Sequence, residues 1–184
     1  MKIAYISSEV APFAKTGGLA DVGGSLTKAL AEDGHEVAIF MPLYACVRRG
    51  GFDIERTGIQ VTVPIREDRP KGDIYRGTLP GTDVPVYFIR NDLYFDRDGL
   101  YGSSRGDYLD NAERFIFFCR AVLEALEPLD FAPDILHTHD WQAALANVYA
   151  RTLYEDAPAL EKAAVLFTIH NLAYQGLFWH WDMP

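Results

Sequence analysis

The sequence predicts an α/β protein with a mostly parallel sheet, helices on both faces and a β-hairpin region set into it. Three observations carry this prediction. The first 42 residues read strand, glycine-containing turn, helix, strand, a βαβ unit that is right-handed and parallel by strong preference. Beyond residue 108 an apolar helical stripe, a strand, a second helix and a further strand follow, the pattern of a parallel sheet covered on both faces. Between these parts lie three strand-like runs too closely spaced for helices to connect them.

Each element has a local reason. Lys2–Ser7 (KIAYIS) is a short β-branched and aromatic run, the composition of a buried strand. A loop over Ser8–Gly18 leads to a helix from about Leu19 to Asp33, with Leu19, Val22, Leu26, Ala29 and Leu30 at helical spacing. Gly34 is placed to stop it, and Glu36–Met41 (EVAIFM) is the second strand, ended by Pro42. Gly58–Arg66, Asp73–Leu79 and Val84–Arg90 read as hairpin strands, with turns at Arg69–Gly72 and Pro80–Thr82. Asn91–Asp107 reads as a long loop rich in Asp, Gly and Tyr, of a length that is often functional or disordered, and mobility is expected of it. Tyr108–Leu126 is a helix with Phe115, Phe118, Cys119, Val122, Leu123 and Leu126 on one face. Asp134–Thr138 is a strand, Trp141–Tyr154 a helix and Ala163–Ile169 a buried strand. The residues after it are loop-like and include an aromatic run, FWHW, that a finished domain would cover. The chain is therefore expected to be a fragment of a larger domain.

Composition narrows the function. A net charge of −9 disfavours nucleic acid, whose phosphate backbone needs a basic surface. It leaves room for a small anion at a local positive site. No apolar run approaches a membrane span. Cys46 and Cys119 do not make a disulfide framework, and a reduced, cytosolic setting is the simpler reading.

In parallel sheets, ligands bind beyond the carboxyl ends of the strands, so the residues after each strand matter most. After the first come Ser8, Glu9 and the stretch KTGGLADVGG (15–24). It fits neither the Walker loop nor the dinucleotide fingerprint. Yet Gly17 and Gly18 let a ligand approach the backbone, and they precede a helix N-terminus, which favours an anion. Lys15 adds a positive charge, so together these suit a phosphate or diphosphate, unless the glycines only turn the chain. Asp21 lies in the first helical turn, where a carboxylate also complements the dipole. After the strand at 134 comes His139-Asp140-Trp141, and after the strand at 163 comes His170-Asn171. Asp140 is a good N-cap residue for the helix at Trp141. His137, His139 and His170 would be the donor set for a metal. No cysteine lies nearby, and His137 is expected to point to the other face or into the core, so no metal site is expected. Tyr101, Trp141, Trp179 and Trp181 are candidate sugar-stacking rings. No GxSxG elbow or Ser-His-Asp system suggests itself.

Four segments carry a resemblance. KIAYISSEVAPFAKTGGLADV (2–22), DRDGLYG (96–102), DILHTHDWQ (134–142) and FTIHNLAYQG (167–176) resemble, in order and spacing, the N-terminal part of bacterial glycogen synthases and plant starch synthases, glycosyltransferase family 5. The resemblance implies a Rossmann-like domain over 1–184, the N-terminal half of a GT-B fold whose second domain is absent. It implies a retaining transfer of glucose from ADP-glucose to the non-reducing end of an α-1,4-glucan, with no metal or other cofactor, in the cytoplasm (the plastid for a plant protein). By matched motif, Lys15, Gly17 and Gly18 would face the ADP-glucose diphosphate. His170 would hydrogen-bond the transferred glucose, with Asn171 beside it and Asp21 close to the cleft. Glu9, Tyr101, Asp140 and Trp141 would line the acceptor glucan groove. The second domain would carry most of the nucleotide pocket, so the chain alone is expected to be inactive. Two other readings stay open, a stand-alone glucan-binding module and a GT-B transferase using another sugar nucleotide.

Overall fold

A run of apolar residues stays buried in a strand only if strands flank it and helices cover it. In the computed structural model, which describes residues 1–179, β1 (Lys2–Ile6) meets both conditions, and Ile3 to Ile6 are buried. β2 (Glu36–Pro42) runs parallel on one side, with Ile3 opposite Val37 and Ile6 opposite Phe40. The intervening helix α1 (Gly18–Glu32) ends as Gly34 predicts. Gly34 takes φ +85°, its N–H donates to Ala31 and that of His35 donates to Leu30, the double bond of a Schellman cap.

After β2 come a short helix, α2 (Ala45–Arg49), and the strands β3 (Glu55–Thr62), β4 (Lys71–Thr78) and β5 (Pro85–Arg90). β4 is antiparallel to both its neighbours, and β5 rejoins the sheet parallel to β2. Next are α3 (Asp92–Phe95), a two-rung hairpin of β6 (Gly102–Ser103) and β7 (Gly106–Asp107), and α4 (Asn111–Leu126). β8 (Ile135–His139), α5 (Asp140–Ala150) and β9 (Ala164–Thr168) complete the order. The main sheet runs β3-β4-β5-β2-β1-β8-β9. Its parallel strands, numbered along the chain, lie 3-2-1-4-5, the Rossmann-type order. Right-handed crossovers then put α1 on one face and α4 and α5 on the other; α4 and α5 pack together. The order reverses at β1 and β8, so the crevice beyond their carboxyl ends is the expected ligand position. No helix among the described residues is long and apolar enough to cross a membrane.

Several elements differ from the sequence reading. β3 starts at Glu55, not at Gly58. Gly58 sits at φ +86° inside a register shift between Arg56 and Gln60; it is a bulge residue that a strand passes through, not a strand start. α1 seats most of its predicted stripe, with Leu19 buried and Val22, Leu26 and Leu30 half-buried, but Ala29 is exposed, and the small residues Ala20, Gly23 and Thr27 are buried where the stripe did not place them. The helix sits close on the loop after β1, so small residues face inward. α4 starts at Asn111 instead of 108, because Tyr108 still closes the preceding loop by donating its N–H to Tyr101. α5 ends at Ala150 in a turn, four residues early. β9 was expected to be buried, but it is the edge of the sheet, and Val165, Leu166 and Phe167 are 38–47% exposed. Trp181 lies outside the described residues.

The segment 91–107 is held more firmly than its composition suggests. Arg114, fully buried on α4, donates to the carbonyls of Tyr94 (2.7 Å) and Leu100 (3.0 Å) and to Asn111 Oδ1 (2.6 Å). Its guanidinium lies 5.0–5.5 Å from the ring centroids of Tyr108, Phe115 and Phe95, and burial lowers its pKa from the ordinary arginine range. Arg97 forks onto Asp110 at 2.5–2.7 Å. The expectation of a mobile loop thus meets a segment tied to α4 through its own carbonyls. Replacing Arg114 by Met should destabilise the chain by about 3 kcal/mol, because buried acceptors lose their donors; urea unfolding monitored by circular dichroism checks it.

Candidate functional site

The stretch after β1 is organised around one carboxylate. Glu9 is 3% exposed. Its Oε2 accepts the Thr16 N–H and, at 3.3 Å, the Gly17 N–H; its Oε1 accepts the Thr16 hydroxyl (2.6 Å) and the Tyr101 hydroxyl (2.6 Å). Ser8 Oγ closes the chain 2.7 Å from the Tyr101 oxygen. A buried charge is tolerated when hydrogen bonds surround it, and here the donors come from residues 16–17 and from Tyr101. Burial and the nearby charge of Glu9 raise the Tyr101 pKa, so its hydroxyl stays a donor. Glu9 and Tyr101, both expected at the acceptor groove, lie together, and their polar atoms bind each other and the loop.

The loop they hold presents the two glycine pairs of KTGGLADVGG, and these do different jobs. A Cβ on Gly17 or Gly18 would meet nothing within 4 Å, while one on Gly24 would stand 2.8 Å from the Ala11 carbonyl oxygen and one on Gly23 3.1 Å from that of Glu9. Gly17 is the N-cap of α1 at φ −151°, an extended value open to any residue. Neither packing nor backbone geometry within the chain requires glycine at 17 and 18, and both face open space at a helix N-terminus, where an anion is favoured. The second pair lets α1 pack on the loop. Lys15 Nζ reaches both oxygens of Asp21 at 2.7 and 2.8 Å. An ammonium has three N–H donors, so Asp21 fixes the lysine beside the glycines and leaves it a donor. The pair is half exposed (52% and 58%) and contributes little to stability.

The second cluster stands beyond β8 and β9. Asp140 is not the side-chain cap the sequence suggested: the N-cap position belongs to His139, and the Asp140 carboxylate accepts the backbone N–H of His170 at 2.7 Å. Asp140 also takes φ +54°, a left-handed conformation uncommon outside glycine that concentrates at functional sites. His139 Nδ1 lies 2.9 Å from His170 Nε2, and His137 Nε2 lies 2.8 Å from Thr168 Oγ1. His137 does not turn away from the site, since residues two apart share a strand face; its ring centroid is 4.1 Å from that of His139. Among the described residues no three His, Cys, Asp or Glu groups converge as metal ligands. Asn171 is exposed, and its side chain accepts the Ala173 N–H at 2.9 Å. Trp141 packs edge-on to Phe115 (5.1 Å) and Phe178 (5.3 Å), and Phe115 also meets Tyr101 (5.8 Å). This aromatic contact joins the two clusters. Cys119 is buried, as its helical position predicts. Sequence reasoning set Ser8 and Thr16 at the strand-end rim without giving either a role, and it missed Arg114, for which the available signal was a lone charge beside the apolar stripe of α4.

Two expected outcomes follow from this geometry. Gly18→Ala should leave the melting temperature unchanged or raised, because alanine is the better helix former by about 1 kcal/mol, and it should weaken binding of an anion at the helix N-terminus. Gly24→Ala should cost about 1–3 kcal/mol from overpacking; differential scanning calorimetry separates the pair. The second outcome concerns pH. Burial, with like charge on His137 and His170 adding to it, holds His139 down to about 2, and burial together with the charge of His170 lowers His137. The unfolded chain binds these protons near pH 6.5, so it holds more protons than the folded chain below that pH. The stabilisation is complete above pH 6.5 and is lost as pH falls, by up to about 1.4 kcal/mol per pH unit for each histidine. Urea midpoints between pH 6.5 and 5 should fall, and less steeply in His139→Phe.

A family model described as starch synthase catalytic domain matches residues 2–184. The chain is 51% identical over 178 residues to a glycogen synthase of Geotalea uraniireducens, covering 97% of this chain and 36% of that protein. It is 43% identical over 182 residues to a glycogen synthase of Thermotoga maritima, with the same coverage. Among solved structures, the catalytic domain of starch synthase IV from Arabidopsis thaliana, bound to ADP and acarbose, superposes with a TM-score of 0.83 at 37% identity, over 95% of this chain and 34% of that one. The chain thus spans about a third of the length of the relatives it matches, and it belongs to the starch synthase catalytic domain family.

Proposed function

We propose that this chain is the N-terminal, Rossmann-type part of a GT-B glucosyltransferase that moves glucose from ADP-glucose to the non-reducing end of an α-1,4-glucan with retention of configuration, acting in the cytoplasm or a plastid. The observation that carries the reading is the unfilled space at Gly17 and Gly18 ahead of α1, with Lys15 held beside it. Departure of ADP builds negative charge on the diphosphate, and a preformed amide-and-lysine site stabilises that charge without reorganising. His170, held through its backbone by Asp140, would contact the transferred glucose. Asn171, exposed beside it, would add a polar contact. Glu9 and Tyr101 would support the acceptor side mainly by shaping the loop, and Trp141 would offer its ring. The remaining two thirds of such a protein would supply most of the nucleotide pocket and cover the exposed face of β9. The ADP and acarbose bound to the starch synthase IV catalytic domain fit a nucleotide sugar and a glucan.

The test joins this chain to the C-terminal two thirds of the Geotalea uraniireducens glycogen synthase and measures glucose transfer from ADP-glucose to glycogen. Transfer is expected, and Lys15→Ala should lower turnover by about 10²–10³-fold at unchanged melting temperature. Glucan binding by a folded protein that transfers nothing would favour a binding module instead. Transfer from UDP-glucose alone would favour a different sugar nucleotide.

A further inference from the structure

The histidine beside His170 has no assigned task. His139 is fully buried. Its ring stacks on Tyr5 with centroids 4.0 Å apart and lies 4.1 Å from His137. Its two nitrogens have opposite surroundings: Nδ1 faces His170 Nε2 at 2.9 Å, while Nε2 is buried with no hydrogen-bond partner. Burial keeps this imidazole neutral across the physiological range, and a neutral imidazole carries one N–H and one bare nitrogen.

Two proton arrangements satisfy the contact between the rings. If His170 Nε2–H donates to His139 Nδ1, then His139 must carry its own proton on Nε2, where a buried N–H would have no acceptor. If His139 Nδ1–H donates to His170 Nε2, only a bare ring nitrogen is left unpaired. Orphaned buried N–H groups are rarer than under-satisfied acceptors, so the second arrangement costs less. We infer that His139 is a positioning residue that donates from Nδ1 to His170 and thereby locks His170 as the Nδ1–H tautomer, with that N–H presented to the ligand. His170 is then fixed twice, at its backbone by Asp140 Oδ1 and at its ring by His139. The frozen tautomer gives the cleft one donor of set direction toward a sugar hydroxyl. This inference rests on the reading that His170 contacts the transferred sugar, but the tautomer itself does not.

Long-range proton–nitrogen correlation spectra of the chain labelled with ¹⁵N-histidine, near pH 7.5, read the tautomer directly. The expected pattern is Nδ1–H for both His139 and His170. An Nε2–H or mixed His170 in the unmutated chain overturns the inference, whatever the variants do. The variants add a functional arm in the joined enzyme described above. His139→Phe should release His170 to mixed tautomers and lower kcat about tenfold, the size of one hydrogen bond. His139→Asn, whose amide can donate from nearly the same place as Nδ1, should restore both the tautomer and most of kcat. Equal losses in Phe and Asn variants of unchanged melting temperature would reduce His139 to packing. If the unmutated joined enzyme transfers no glucose, the transferase reading falls while the spectra still decide the tautomer.

Discussion

The buried carboxylate of Glu9 is the constraint on which the site depends. It follows β1 directly, and its donors come from Thr16, Gly17 and Tyr101, residues up to 92 positions away in the chain. A buried charge left without donors costs several kcal/mol. The loop after β1 and the segment bearing Tyr101 therefore take up their positions together or not at all. What this holds open is the space in front of Gly17 and Gly18. The amides of Thr16 and Gly17 already serve Glu9, so an incoming anion meets the helix N-terminus beyond them and the amine of Lys15.

A second charge works from below. Arg114 carries its guanidinium among rings and carbonyls, and its acceptors Tyr94 and Leu100 belong to the segment that delivers Tyr101. Neutral acceptors and aromatic faces thus balance a buried cation on one side of that segment, while hydroxyl and amide donors balance a buried anion on the other. Each network fixes the backbone that the other needs. The arrangement resembles a frame more than a binding site, since most of its polar atoms are already paired within the chain.

The free capacity lies at the rim. The sheet order reverses between β1 and β8, and the chain ends of β1, β8 and β9 bring the glycine loop, Asp140 and His170 to the same side of the sheet. Asp140 spends a left-handed backbone conformation to place its carboxylate on the His170 amide. His139, which meets His170, stacks on Tyr5, and His137 packs edge-on to Tyr5 and tilted against His139, so the three rings form a floor for the site. The floor is buried and neutral, so it shapes the site without adding charge to it.

Much of this was legible in the residues. The alternation of apolar periods determined the α/β class, the hairpin insertion and the strand ends at which polar residues collect, because burial of a strand or a helix face dictates its period. Gly34 announced a helix end because few other residues accept its conformation. The sequence could not say which glycine pair faces solvent and which faces the loop after β1, because both pairs share one local pattern and only the seating of α1 separates them. Nor could it assign Asp140, whose local chemistry fits a cap; its partner is an amide 30 residues away. β9 reads as a buried strand by composition and becomes an edge only through its place in the sheet. Periodicity is a property of neighbours along the chain, so the sequence by itself determined the main strands and helices and the strand ends at which polar residues collect. The partners of Glu9, Arg114 and His139 are far apart in sequence, and only the tertiary structure decided which of these groups are committed to the protein and which remain for a ligand.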